Sequence, residues 1–161
     1  MWAVNRIISC GVFLLAGCAA SAPSPEQEAA EQAALETVEQ ILSAPLDATE
    51  YAAEPERCIS TYMYDSMEVL DDRHVLFKGR GGKLWLNQLR SRCVGLRQHS
   101  IPVIRLRDSQ VCDMDTFQAM DSMLGVWQRT SAHCSLGTFT PITPEQADTV
   151  RAALDEARRK P

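Results

Sequence analysis

The chain has 161 residues, 45% of them hydrophobic and 23% charged, which fits one folded domain and excludes a disordered or low-complexity chain. The formal net charge is −5 at pH 7, but the charges are segregated along the sequence. Residues 24–44 hold five Glu and no base, whereas residues 73–107 hold nine bases and no acid, an asymmetry that indicates an acidic and a basic surface.

The first 17 residues have the pattern of a secretory signal peptide. One base, Arg6, precedes an apolar run from Ile7 to Ala16. Ten residues are too few to cross a hydrocarbon core of about 30 Å, which takes about 20 apolar residues in a helix. We therefore assign residues 1–17 to a removed signal and leave them out of the fold.

The signal ends in Leu15-Ala16-Gly17-Cys18, which resembles the lipobox of bacterial lipoproteins. The resemblance implies that the Cys18 thiol accepts diacylglycerol and that acyl chains on Cys18 anchor the protein in a membrane. Ala19 at the next position implies the outer membrane, on its periplasmic face, with the inner membrane as the alternative. An ordinary signal followed by a chance Cys is the other interpretation. Residues 18–23 would form a tether.

Two helices are predicted, one on each side of a β-rich segment. In the first, residues 24–44, Ser24 is the N-cap and Gln27 completes a capping box. The same pattern recurs at Thr143 and predicts a second helix over residues 144–160, with apolar residues at helical spacing. The acidic residues of the first helix are Glu26, Glu28, Glu31, Glu36 and Glu39.

Residues 45–143 have the composition of a β domain. Short runs of β-branched, aromatic and aliphatic residues alternate with turns rich in Gly and Asp. The predicted fold class is α+β, mainly antiparallel β, as a small meander or barrel-like sheet with flanking N- and C-terminal helices. Strands are predicted over residues 57–63, 67–70, 74–77, 83–87, 101–106, 115–120 and 134–139, with turns at 71–73 and 79–82.

Four cysteines remain in the exported chain once Cys10 and Cys18 are set aside. An even number in an exported protein predicts two disulfides, for which three connectivities are possible. We favour Cys58 with Cys93 and Cys112 with Cys134, because each pair closes a compact local loop. A zinc or redox site is disfavoured, because the chain has no CxxC pair.

Several of these segments together resemble a family of small Gram-negative envelope lipoproteins known only as a domain of unknown function. The similarity covers roughly residues 56–143 and leaves both helices outside. It implies export, a shared core and the cysteine framework, and brings no activity, cofactor or catalytic residue. It rests on Arg57-Cys58-Ile59, on residues 71–77 (DDRHVLF) and 80–87 (RGGKLWLN), on Cys93-Val94-Gly95-Leu96, on Cys112 and Asp115, and on residues 134–137 with Phe139 and Pro141.

Possible chemical sites are weak, and each has a simpler structural interpretation. Residues 71–74 (DDRH) can be read as acid–base machinery, but Asp is common in hairpin turns. Residues 112–115 (CDMD) offer too few oxygens for Ca²⁺. The three histidines lack metal-ligand spacing. We predict no catalytic residue, no metal and no cofactor, and we predict that Trp85 and Trp127 are core or loop-anchoring residues. The histidines are His74, His99 and His133.

The basic run carries the main functional hypothesis. If its bases formed one face, that face would attract an anion, and Arg80 and Lys83 on one Gly-rich turn are the first candidate contacts. The phosphate-loop reading of this turn fails, because no Ser or Thr follows Lys83 and no helix begins there. Alternatively, the acidic helix covers and neutralises the basic face. The bases are Arg73, Lys78, Arg80, Lys83, Arg90, Arg92, Arg97, Arg105 and Arg107.

We therefore predict a non-enzymatic binding or scaffolding lipoprotein with an anionic envelope ligand or protein as partner. Nucleic acid is not expected as a partner for a protein of the cell envelope. An inhibitor of a cell-wall hydrolase is the first alternative, because a basic loop can enter an acidic catalytic cleft. An unrecognised enzyme is the second.

Overall fold

The computed structural model describes residues 24–43, 54–106, 108–123 and 126–159. The predicted signal peptide, the lipidation site Cys18 and the tether lie outside these residues. None of the described helices has the length and apolarity needed to cross a membrane.

Helices α1 and α2 flank strands β1–β10, which form three sheets. The sheets have the orders β10-β4-β3-β2, β5-β7-β8 with β9 on β7, and β1-β6, and every strand pairing is antiparallel. The predicted class, α+β and mainly antiparallel β, is confirmed, but none of the sheets in the described part closes into a barrel. The elements are α1 Pro25–Ser43, β1 Cys58–Ser60, β2 Tyr64–Val69, β3 His74–Gly79, a 3₁₀ turn Arg80–Gly82, β4 Leu84–Gln88, β5 Ile101–Ile104, β6 Gln110–Cys112, β7 Thr116–Met123, β8 Val126–Arg129, β9 Cys134–Ser135, β10 Phe139–Ile142 and α2 Pro144–Arg159.

Side-chain hydrogen bonds cap the start of both helices. The Gln27 amide donates to Ser24 Oγ at 3.2 Å. At α2 the box is reciprocal, because the Gln146 amide donates to Thr143 Oγ1 and the Thr143 amide donates to Gln146 Oε1. These bonds satisfy amides that have no partner inside the helix, and they confirm the predicted caps.

The described elements stack in layers, with the helices on one side of the four-stranded sheet and the sheet β5-β7-β8 on the other. Alternation along β3 and β4 places Leu76 and Leu86 on the helix side, in one buried cluster with Val150 of α2. Phe77 points the opposite way and belongs to the cluster that contains Phe117 of β7. Both faces of the four-stranded sheet are therefore covered at β3 and β4, whereas the outer face of β5-β7-β8 has no cover among the described residues.

The two disulfides join Cys58 to Cys112 and Cys93 to Cys134. All four cysteines are bonded, but the favoured pairing of Cys58 with Cys93 and of Cys112 with Cys134 is wrong. Cys58 in β1 lies directly opposite Cys112 in β6, and Cys134 lies in β9, which pairs with β7. Closing the shorter loops would save only about 1 kcal/mol in chain entropy, since that cost grows with the logarithm of loop length. Long-range strand pairing therefore decides the connectivity.

Asn87 is a buried polar residue in the middle of β4. Its Nδ2 donates to the Gly137 carbonyl at 2.7 Å, and the Gly137 amide donates to its Oδ1 at 2.9 Å. The side chain is 0% exposed. One amide thus satisfies both backbone groups of a residue in the connection between β9 and β10, where burial would otherwise leave them unpaired.

Candidate functional site

A cleft of about 240 Å³ opens where α1 and α2 meet the turn between β2 and β3. Its apolar lining comes from the helices and includes Ala34, Leu35 and Leu154. Its charged lining comes from three elements and from the chain after β4. The charged residues are Glu31, Asp71, Asp72, Arg73, Arg92 and Arg158.

Asp71 shapes the turn at the mouth of this cleft. Its Oδ1 accepts hydrogen bonds from the backbone amides of Arg73 at 2.7 Å and His74 at 2.6 Å. A carboxylate that caps its own turn in this way is a common reason for Asp at hairpin reversals. The predicted turn at residues 71–73 is therefore confirmed, but no ion pair joins Arg73 to an Asp among the described residues.

The same carboxylate holds the His74 ring. Nδ1 of His74 lies 2.9 Å from Asp71 Oδ2, the ring is 0% exposed, and Nε2 has no described protein partner. Burial alone would raise the pKa of the Asp71 carboxyl, but the hydrogen bonds from the His74 ring and from two backbone amides outweigh it and hold that pKa below its ordinary value. The ionised carboxylate is therefore part of the folded structure.

Acid is expected to destabilise the protein through Asp71. The folded-state pKa of this group lies below its ordinary value of 3.8, so its contribution is present above that pH and is lost as the pH falls through the folded-state pKa. Asp71→Asn keeps a turn-capping oxygen but removes the charge. Urea unfolding from pH 6 to pH 2 should show that Asp71→Asn is less stable than the parent at pH 6 and that the difference shrinks in acid. A difference that does not vary with pH would contradict this assignment.

Arg92 ties the acidic helix to the turn. Its guanidinium lies 2.6 Å from Glu31 of α1 and 3.2 Å from Asp72. Burial raises the pKa of the Asp72 carboxyl, and the nearby Arg92 charge only partly offsets this effect. Exposed pairs of this kind contribute about 0–1 kcal/mol each, so the bridge orients the helix more than it stabilises the fold.

Two further arginines reach the cleft. Arg158 of α2 pairs with Asp155 at 2.7 Å and contacts Gln98. Arg73 is exposed and forms no ion pair with any described residue. Arg73 is thus the lining arginine without an ion pair among the described residues, although its charge acts on the nearby Asp72 and tends to lower the pKa of that carboxyl.

The predicted anion contacts, Arg80 and Lys83, lie at the other end of the same hairpin. Both are exposed; Arg80 is the first residue of the 3₁₀ turn and Lys83 directly follows it. Gly81 and Gly82 in this turn have φ values of 69° and 81°, a region that favours glycine. Arg80 pairs with Asp65 at 3.2 Å, whereas Lys83 forms no ion pair in the described part of the chain.

The nine bases of the basic run do not converge on one face. Arg73 precedes β3 and Arg80 follows it, so about six residues of strand, roughly 20 Å, separate them. Acids from outside the run pair with four of the bases. Only one of these acids, Glu31, comes from the acidic helix. The neutralised bases are Lys78 with Glu68, Arg80 with Asp65, Arg90 with Asp113, and Arg92 with Glu31 and Asp72; Arg107 lies outside the described residues.

The remaining candidate groups are dispersed or already engaged. Within the described ranges, no three His, Cys, Asp or Glu side chains are placed to hold a metal ion. Asp113 pairs with Arg57 at 3.2 Å, and Asp115 accepts a hydrogen bond from the Cys112 amide. Trp85 is buried, as predicted. Trp127 is 56% exposed, so the core prediction for Trp127 is wrong.

Sequence reasoning missed two features of this region. The cleft itself depends on how α1 and α2 pack together, and no local pattern encodes that packing. Arg92 was noted only as one base of nine, although it bridges two elements. Its spacing from Glu31 is 61 residues, beyond the reach of any rule based on helical or strand periodicity.

Comparison with known proteins gives one match. The family of unknown function DUF6491 matches residues 2–160, so the similarity extends over both helices and well beyond residues 56–143. No curated protein and no solved structure matches the chain. Because the match covers almost the whole length, the chain belongs to the family of unknown function DUF6491.

Proposed function

We propose that this protein is an exported lipoprotein, anchored through Cys18 on the periplasmic face of the outer membrane, that binds an anionic partner without chemically changing it. The lipobox-like end of the signal segment supports the anchor. The two disulfides support an oxidising compartment, because such bonds persist outside the cytosol.

The cleft between the helices and the β2–β3 turn is the proposed binding site. The observation that carries this assignment is Arg73, an exposed arginine at the edge of a partly apolar cleft with no ion pair of its own. An arginine offers a planar fork of donors that matches a carboxylate or a phosphate. The neighbouring carboxylates have other partners, since Asp71 contacts the His74 ring and Asp72 pairs with Arg92. The charge of Arg73 also acts on Asp72, so an incoming anion would compete only with that longer-range interaction.

A binding role without catalysis is supported by the state of the reactive groups. The Asp71–His74 pair has the composition of an acid–base dyad, but its ring is sealed in the core. A general base has to come within hydrogen-bond reach of the substrate proton, which a fully buried ring does not. The four described thiols are held in disulfides.

Inhibition of a cell-wall hydrolase is the second candidate. The exposed turn with Arg80 and Lys83 favours it, because a basic turn at the tip of a hairpin can enter an acidic catalytic cleft. This function uses the opposite end of the hairpin from Arg73, so the two candidates predict different effects of charge reversal.

Arg73→Glu is expected to reduce partner recovery about tenfold or more in crosslinking experiments on intact cells. A hydrogen bond to a charged group contributes about 1.5–3 kcal/mol, and each 1.4 kcal/mol corresponds to a factor of about ten in affinity. The measurement is quantitative mass spectrometry of proteins crosslinked to the full chain. Arg97→Glu is the matched control, because Arg97 is an exposed base of the same run without an ion pair.

The double variant Arg80→Glu/Lys83→Glu separates the two candidates. Two results together would favour the turn as the binding site: crosslinked partners are lost in this variant but not in Arg73→Glu, and the parent protein inhibits a lysozyme-type enzyme. If both charge-reversed proteins recover the same partners as the parent at equal expression, the anionic-partner proposal is wrong.

A further inference from the structure

One sheet face in the described structure is apolar and uncovered. The register of β5, β7 and β8 places Ile101, Met120 and Arg129 in one row across the sheet. By alternation Val103 and Trp127 share the same face. Ile101, Val103 and Trp127 are 49%, 43% and 56% exposed. We call this the outer face and define it by six described side chains, Ile101, Val103, Gln118, Met120, Trp127 and Arg129.

The charge of the outer face is positive. Its six described side chains include one cation and no carboxylate. Arg129 is exposed and forms no ion pair with the described residues, and Arg105, which directly follows β5, has the same status. Aliphatic groups, an exposed indole and an adjacent cation are the combination found where proteins meet the interface of a bilayer.

We propose that the outer face docks onto a membrane surface that contains anionic lipid. Trp127 and the aliphatic side chains would enter the headgroup region, and Arg129 would contact lipid phosphate. Arginine suits this position, because its stem lies along apolar surface while the guanidinium stays at the polar boundary. An exposed apolar patch on a folded domain marks an interaction surface.

A second copy of the chain fits the outer face less well. A stable interface takes about 800 Å² per partner, far more than four apolar side chains supply. Pairing through this face would also bring the Arg129 side chains of the two copies near each other without a carboxylate to compensate, and like charges oppose such contact. A phosphate surface supplies the missing negative charge.

The lipid anchor proposed at Cys18 would hold the domain close to a bilayer. This is the one step at which the inference rests on the proposed function. Cys18 lies seven positions before Pro25, where α1 begins. A chain of this length spans at most about 24 Å. Layers of about 10 Å each put the outer face roughly 20 Å from the helices, a distance comparable to that span. Tethering then makes docking an intramolecular step.

The test places the full chain, produced with its export segment, in vesicles of phosphatidylethanolamine and phosphatidylglycerol with brominated acyl chains. Bromine quenches an indole only at short range. The fluorescence difference between the parent and Trp127→Phe isolates Trp127 from the other tryptophans. The emission of Trp127 is expected to be quenched by the brominated lipid and shielded from aqueous iodide. Vesicles of phosphatidylcholine alone should give less quenching.

Charge reversal on the face provides the matched comparison. Arg129→Glu should lower the ratio of docked to free chain about 30-fold, the effect of reversing one charge next to an anionic surface. Arg159→Glu, which reverses an exposed cation at the end of α2, should leave the ratio unchanged. The proposal is overturned if iodide still quenches the emission of Trp127. It is also overturned if Trp127 is shielded from iodide but not quenched by the brominated lipid, because a protein would then cover the face. These readouts need no anionic partner, so they stand apart from the Arg73 experiment.

Discussion

Asn87→Ala is expected to lower the free energy of unfolding by about 3 kcal/mol. The substitution removes the hydrogen bonds that Asn87 makes to the Gly137 carbonyl and amide at 2.7 and 2.9 Å. Both backbone groups would then be buried without a partner, and each such group costs about 1–3 kcal/mol. The backbone is closely packed here, because a Cβ at Gly137 would lie 2.1 Å from the Gln88 carbonyl oxygen. Denaturant unfolding curves measure the loss.

Two variants sharpen this test. Gln88→Ala changes the next residue of β4, which is exposed, and should change stability by less than about 0.5 kcal/mol. Asn87→Asp keeps the acceptor for the Gly137 amide but points a second oxygen at the Gly137 carbonyl. Because only the protonated acid can donate there, this variant should approach the parent as the pH falls. Equal costs for Asn87→Ala and Gln88→Ala would refute the assigned role.

Loss of the Cys93–Cys134 disulfide is expected to cost about 4 kcal/mol, as is loss of Cys58–Cys112. The bonds close loops with sequence separations of 41 and 54, and the chain-entropy relation gives nearly the same value for both. Two double variants test this, Cys93→Ala/Cys134→Ala and Cys58→Ala/Cys112→Ala. Each should unfold at a lower denaturant concentration than the oxidised parent, both when its remaining disulfide is intact and when that disulfide is reduced.

Peptide mapping under non-reducing conditions checks the connectivity itself. Proteolysis of the oxidised protein should yield one linked pair with Cys58 and Cys112 and another with Cys93 and Cys134. Peptides that join Cys58 to Cys93 would contradict the structure. A parent protein whose unfolding midpoint is indifferent to reductant would contradict the energetic role.

Local sequence signals predicted the local structure well. The capping residues Ser24 and Thr143 correctly predict the starts of both helices, and Asp71 correctly predicts the hairpin turn that it caps. Strands β3 and β4 were recognisable, because β-branched and aliphatic residues lie between unmistakable turns. In each case the stabilising contacts lie within a few residues of one another.

Features that depend on distant contacts were not predicted. Strands β6 and β8 are three and four residues long, too short for alternation to stand out, and their partners define them. The disulfide pairing followed strand register rather than loop length. The basic run is continuous in sequence, so it predicts one basic surface. In the fold, strand β3 separates Arg73 from Arg80, and the two bases lie at opposite ends of the sheet.

The candidate cleft shows the same division. Asp71 was noted from the sequence as a turn residue, and it is one. Arg73 was counted among the bases, but its value as a free contact depends on where acids from other elements lie. The sequence predicts Trp127 as a core or loop-anchoring residue because aromatic residues mostly bury area, yet it lies in β8, an edge strand of a sheet whose outer side has no described cover.

The two cystine links overlap along the chain, since Cys93 falls between Cys58 and Cys112, and Cys112 falls between Cys93 and Cys134. A single cut by a protease at any peptide bond from residue 58 to residue 134 therefore leaves the two fragments covalently attached. Had neighbouring cysteines paired, one cut between residues 93 and 112 would have released the C-terminal half. Overlapping disulfides of this kind keep the chain together as one molecule after a single cut.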